Sequence, residues 1–180
     1  MGYVGSIVTQ NVVDTADIAD ASITTAKLAT GAVTDAILPA GSILQVVTAT
    51  NSSHVSNTTQ TYADTGLTCN ITPRASTSDV LIMVSHAGLA TSNSGVDINL
   101  RLLRGSTEIV EFTNLMMEGM SVGNLTAGTN FIDTTPGGDG STAITYKTQF
   151  RIGDDSGTVS VDNGNYGTST MVLMEIQRSS

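Results

Sequence analysis

The sequence predicts an all-β protein, an antiparallel β-sandwich preceded by a short repetitive N-terminal segment. Three observations predict it. The 180 residues include 28 Thr, 19 Ser, 11 Asn and 18 Gly, with only 13% charged and 4% aromatic. Thr, Val and Ile pack well on pleated surfaces, and Gly, Asn and Asp suit turns. Low charge with a high β-branched content argues against disorder, and the missing Ala/Glu/Lys/Leu/Arg richness argues against long helices. Second, residues from Ser42 onward fall into short alternating runs separated by turn signals. Third, residues 1–40 follow a different period.

That period is ten. Val13-Asp14-Thr15-Ala16-Asp17-Ile18, Ile23-Thr24-Thr25-Ala26-Lys27-Leu28 and Val33-Thr34-Asp35-Ala36-Ile37-Leu38 share the pattern (Val/Ile)-x-x-Ala-x-(Ile/Leu). Ten fits neither a heptad nor an eleven-residue coiled coil. Each unit is expected to make one short helical turn, Thr24 to Leu28 for example, capped by Ser22 or Thr24 and followed by an extended link. One unit is too small to bury its own apolar residues. It gains burial by stacking in an oligomeric stalk, or by lying as an arm on the chain's own domain. Pro39-Ala40-Gly41 reads as the break, giving an anchoring segment over 1–40 and a β-sandwich head over 41–180.

Ten strands are expected in the head, at 43–49, 58–63, 66–72, 79–87, 96–104, 107–113, 126–132, 142–152, 157–161 and 169–177. In 144–152, Ile144, Tyr146, Phe150 and Ile152 share one side, and Lys147, Gln149 and Arg151 the other. Val96 to Leu102 alternates equally well, as half-buried antiparallel strands do. Val80 to Val84 and Met171 to Met174 are apolar on both sides, so both sides need a cover. A subunit interface supplies one, with Leu81, Met83, Met171 and Leu173 as its candidate residues; a loop of the same chain supplies another. Met116, Met117 and Met120 suit an irregular filler of core or interface. Asp154 to Gly157 and Asp162 to Asn165 read as turns.

Sixteen acids against seven bases give a formal charge of -9. Nucleic-acid binders draw their affinity from Lys and Arg on phosphates, so nucleic acid and anionic membrane are not expected partners. One cysteine, Cys69, excludes an internal disulfide and a Cys-based metal cluster. No signal peptide is read at the N-terminus and no apolar run is long enough for a membrane helix. The expected setting is a cytoplasm, or something assembled there.

No catalytic constellation stands out. His54 and His86 have no evident partners, and two histidines are too few for a His-based metal centre. No Gly-x-Ser-x-Gly elbow, P-loop or His-Glu-x-x-His motif occurs. Cys69 sits in an alternating strand, as a small buried thiol does. Asp154, Asp155, Asp162, Asn163 and Asn165 offer oxygen ligands of the kind calcium takes, but they match no EF-hand spacing and suit turns. Asp97, Glu108, Glu111 and Glu118 form no particular acid pair. No catalytic, cofactor-binding or metal-binding residue is assigned, and no cofactor is expected.

The run Asp17-Ile18-Ala19-Asp20-Ala21-Ser22-Ile23-Thr24-Thr25-Ala26-Lys27-Leu28-Ala29 resembles the "D-G-S-I-T-x-A-K-L-A" repeats of bacteriophage fibre and appendage proteins, often from marine or cyanobacterial hosts. Met1-Gly2-Tyr3-Val4-Gly5 is similar to their Tyr-Ile-Gly opening. Ala21 stands where Gly is usual. The remaining residues are similar in style to the trimeric jelly-roll heads of such proteins, built like tumour-necrosis-factor and C1q domains, in which the C-terminal strand is central and apolar. The resemblance implies a non-enzymatic virion protein: a short fibre, a head decoration or cement protein, or a tail appendage. It implies a homotrimer that joins capsid, neck or tail proteins in particles assembled in the host cytoplasm. Tyr3, Val13, Ile18, Ile23, Leu28, Val33 and Leu38 would then anchor it. The alternative is a receptor- or glycan-binding fibre tip that engages the host surface.

Overall fold

A computed structural model describes residues 18–32, 34, 37–116, 125–153, 157–162 and 167–178, with the side chains of 113–116 left aside. The chain divides into two compact units, Met1–Leu38 and Pro39–Ser180.

In the first unit the ten-residue period is a backbone feature. Ser22 N–H donates to the Ala19 carbonyl and Ala32 N–H to the Ala29 carbonyl. The third residue of each turn is left-handed, Ala21 at φ 60° and Gly31 at φ 81°. This is the arrangement of a type II turn, which needs positive φ there. A 3-10 turn, Thr25–Lys27, follows, with Thr24 at its N-cap. Neither expected cap forms: Thr24 makes no side-chain cap bond, and Ser22 instead offers its carbonyl to Lys27 Nζ.

Pro39-Ala40-Gly41, read as the break, lies where the second unit begins, and its backbone is itself a turn. Ser42 N–H donates to the Pro39 carbonyl, and Gly41 has φ 88°. It is the next copy of the same turn, ten residues on, and it opens the second unit. Gly41 N–H donates to the Gln177 carbonyl, which ties this copy to the C-terminal strand end.

The second unit holds ten strands: β1 (Ile43–Asn51), β2 (Val55–Asn57), β3 (Ala63–Ile71), β4 (Asp79–Thr91), β5 (Asp97–Arg104), β6 (Thr107–Met116), β7 (Leu125–Asp133), β8 (Ile144–Ile152), β9 (Val159–Val161) and β10 (Ser169–Ile176). Their antiparallel pairs are nested. β1 pairs with β10, β3 with β8, β4 with β7, and β5 with β6. Nested pairing of first with last is the winding of a jelly roll. One layer runs β1-β10-β4-β7, with β9 and β2 continuing from the far end of β4, and the other runs β3-β8-β5-β6. The expected antiparallel sandwich is the observed fold.

The expected strand at 58–63 is not formed. Asn57 closes β2, and its side chain accepts from Thr59 N–H and donates to the Thr61 and Phe150 carbonyls. Such local side-chain bonds offer the backbone an alternative to a ladder, so pairing resumes only at Ala63. β4 also outruns its expected end at 87, reaching Thr91 through a register shift between His86 and Leu89.

The core is in two pieces. Leu67, Cys69, Ile82, Tyr146, Met171 and Leu173 are among one apolar cluster. Leu89, Ile98, Leu100, Phe150, Ile152 and Val159 are among the other. A polar layer separates them.

Candidate functional site

That layer brings histidine, serine, threonine and aspartate side chains together. His86 lies in β4 and is fully buried. Its Nε2 is 2.9 Å from Thr148 Oγ1 on the opposite layer, and Thr148 Oγ1 is 2.6 Å from Thr65 Oγ1. On the other side, His86 Nδ1 is 3.1 Å from Ser169 Oγ, which donates to Asp162 Oδ1 at 2.6 Å. Asn51 Nδ2 donates to Asp162 Oδ2.

The donors settle the tautomer. Ser169 Oγ gives its proton to Asp162 and already accepts from Ala87 N–H. Its remaining lone pair takes Nδ1–H, so Nε2 is the acceptor for the Thr148 hydroxyl. A neutral imidazole satisfies every bond. Burial holds the His86 pKa down at about 4.

The set contains Ser, His and Asp, but it is no nucleophilic triad. In a triad the histidine stands between acid and serine; here Ser169 stands between Asp162 and His86. Thr65, His86, Thr148 and Ser169 have no exposed surface, so no substrate reaches them. The layer is a bolt between the two sheets. A second bolt lies nearer one end. Arg104 Nη1 donates to both carboxylate oxygens of Asp133, and Tyr146 Oη donates to Asp133 Oδ2.

The two outer faces differ in chemistry. On β3-β8-β5-β6, three of the seven basic residues, Arg101, Lys147 and Arg151, alternate outward among acids. Arg101 pairs with Glu108, and Lys147 with Asp64. The Arg101 and Arg151 guanidinium carbons lie 3.8 and 4.8 Å from the centre of the Tyr62 ring. On β1-β10-β4-β7 the outward positions form register rows. Val46, Met174, Leu81 and Ile132 stand side by side across four strands, and Thr48, Val172, Met83 and Asn130 form the next row. The first charge along β4 is Asp79 at its start, 3.5 Å from Arg178.

The candidate residues therefore separate. Leu81 and Met83 point outward, Met83 being 40% exposed. Met171 and Leu173, expected at an interface, are instead wholly buried in the chain's own core, and the outward positions of that strand are Val172 and Met174. The double-sided apolar strands were legible, but their inward and outward parity was not. Ile18, Ile23 and Leu28 are exposed and Leu38 is half-buried; Tyr3, Val13 and Val33 lie outside the described residues. So do Asp154, Asp155, Asn163, Asn165, Met117, Met120 and Glu118. Asp162 is spent on Ser169 and Asn51. His86 is paired, contrary to the sequence reading, because its partners are 62 and 83 residues away. His54 is exposed. Cys69 is buried, and burial pushes its thiol pKa up. No group of three or more metal-ligating side chains occurs among the described residues, and none of their helices is long and apolar enough to cross a membrane.

No family model and no curated protein matches the sequence. Among solved structures, the chain is similar to infectious bursal virus derived T=1 particles at 14% identity and TM-score 0.42, over 76% of this chain and 36% of that one. The VP2 subviral particle of infectious bursal disease virus gives 14% and 0.41, over 76% and 38%. Dimeric latent PorU from Porphyromonas gingivalis gives 9% and 0.34, over 77% and 14%. The chain spans less than two fifths of the length of each.

Proposed function

We propose that the chain is a non-enzymatic structural component of a virus particle, of the bacteriophage fibre, decoration or tail-appendage kind. Its N-terminal repeats attach it, its jelly-roll head is exposed, and three copies associate. The observation that carries this reading is the ten-residue repeat. Its turns recur in register while Ile18, Ile23, Leu28 and Ile37 stand 44–62% exposed. Ordering each residue costs about 1–2 kcal/mol, and exposed apolar residues return little of that until something extended covers them. The head, by contrast, buries two apolar clusters of its own. The buried His86 layer, closed to substrate, agrees with a structural role.

The test is incorporation. Deleting residues 1–38 should abolish entry into particles. A truncated head that assembles at the normal copy number would place the anchor on the β-domain and refute the reading.

A second reading, host-surface binding by the head, is favoured by the Tyr62 patch. Beside Tyr62, Asn99 Oδ1 and Arg151 Nε are buried without a hydrogen-bond partner, and Asn99 pairs in register with Arg151. Polar atoms left in this state can serve a polar ligand. Burial first, then Glu111, raises the Tyr62 pKa, and Arg151 works against them. Glycan-array binding that Tyr62→Ala abolishes would support this reading, and an array without hits would remove it.

A further inference from the structure

We propose that the outer face of the β1-β10-β4-β7 layer is where a second copy of this chain packs; the inference rests on the self-associating reading above and specifies its surface. The opposite layer supplies the internal comparison. An outer face of an antiparallel sandwich ordinarily meets water with polar side chains, and β3-β8-β5-β6 does so with Asp64, Arg101, Lys147, Gln149 and Arg151. The β1-β10-β4-β7 face instead carries an unbroken apolar row, Val46, Met174, Leu81 and Ile132, flanked by Val172 and Met83. Val46 and Ile132 are each 52% exposed in the single chain.

Charge selects the occupant. Each copy carries a formal charge of -9, so two copies repel unless they meet where no carboxylate stands. This face is that place, because its rows present only aliphatic, Met, Thr, Ser and Asn side chains until Asp79 at the margin. A basic partner would gain nothing here, since the acids Asp64, Glu108 and Glu111 stand with the other layer. Interface cores are depleted in charge and enriched in Met, and closed symmetry lets one patch serve every copy.

The test uses the full chain. Light scattering at micromolar concentration should give an oligomer. Met83→Asp should reduce the mass to that of one chain with the strand spectrum retained, whereas Asn70→Asp on the opposite layer should leave the mass unchanged. Should Met83→Asp unfold the protein, Met83→Cys gives a second reading. Its labelling by a bulky maleimide should be at least about tenfold slower than that of Asn70→Cys, with buried Cys69 silent in both. A monomeric wild-type chain overturns the inference, as does an oligomer that survives Met83→Asp or equal labelling at the two cysteines. A monomer with position 83 protected also overturns it, because the chain's own N-terminal segment would then be the cover. Particle incorporation is scored separately: a monomer that still enters particles sinks this inference and the association of three copies but leaves the virion role, and an oligomer that never enters them sinks only the virion role.

Discussion

His86 in β4 and Thr148 in β8 meet at 2.9 Å across the sandwich, and their contact divides the apolar core in two. Phe112 packs against both halves, with its ring nearly parallel to the imidazole and the centroids 6.5 Å apart. The histidine is neutral because the layer has no place for a second ring proton without rearranging hydroxyls, and because burial opposes charge.

Acid should therefore destabilise the head through His86. Its folded pKa, about 4, lies below the unfolded value of 6.5, so the unfolded state binds the proton first. Stability is whole above about pH 6.5 and falls as the pH drops toward 4, by up to about 3 kcal/mol from this residue. Urea unfolding at a series of pH values measures it. His86→Gln should flatten this part of the profile, and an unchanged slope in that variant would show that another group is responsible.

Thr148→Val keeps the shape and removes the hydroxyl. It leaves His86 Nε2 without its partner in a dry core, at a cost of about 1–3 kcal/mol, while Thr65 Oγ1 keeps the Thr148 carbonyl and the Leu67 N–H. The same loss should not follow Thr68→Val on the solvent face. Chemical denaturation of both variants compares them directly.

Tyr146 should ionise after Tyr62. Burial raises its pKa most, and the Asp133 carboxylate accepting its hydroxyl raises it further. A spectrophotometric titration should show its tyrosinate absorbance only when alkali unfolds the head. Tyr146→Phe removes one of the two hydrogen bonds to Asp133 Oδ2, leaving that of Arg104, and should cost about 1–2 kcal/mol.

The left-handed turn positions make a paired test. Gly41→Ala places a Cβ at φ 88°, and although nothing lies within 4 Å of it, the backbone cost should be about 1–2 kcal/mol. Ala21→Gly runs the other way. It removes that strain at φ 60°, so amide exchange across 19–22 should slow. Faster exchange there would mean that the added chain entropy of glycine outweighs the relieved strain.

Period and alternation, which are local, were enough to set the class of fold, nine of the ten strands and the ten-residue repeat. The departure at Ala21 showed only against the resembled repeat, where Gly is usual, and its reason, a turn that needs positive φ, came from the backbone. What lay beyond reach was whatever depends on which strand stands opposite. Met171 and Val172 are equally apolar in the sequence, and only the β1-β10-β4 register sends one into the core and the other outward. At Pro39-Ala40-Gly41 the limit was similar: Pro and Gly mark a turn at the unit boundary, but only the backbone shows that it is the same turn again. His86 seemed isolated because its hydrogen bonds go to Thr148 and Ser169, residues that a nested strand order brings beside it and that no local pattern could bring together.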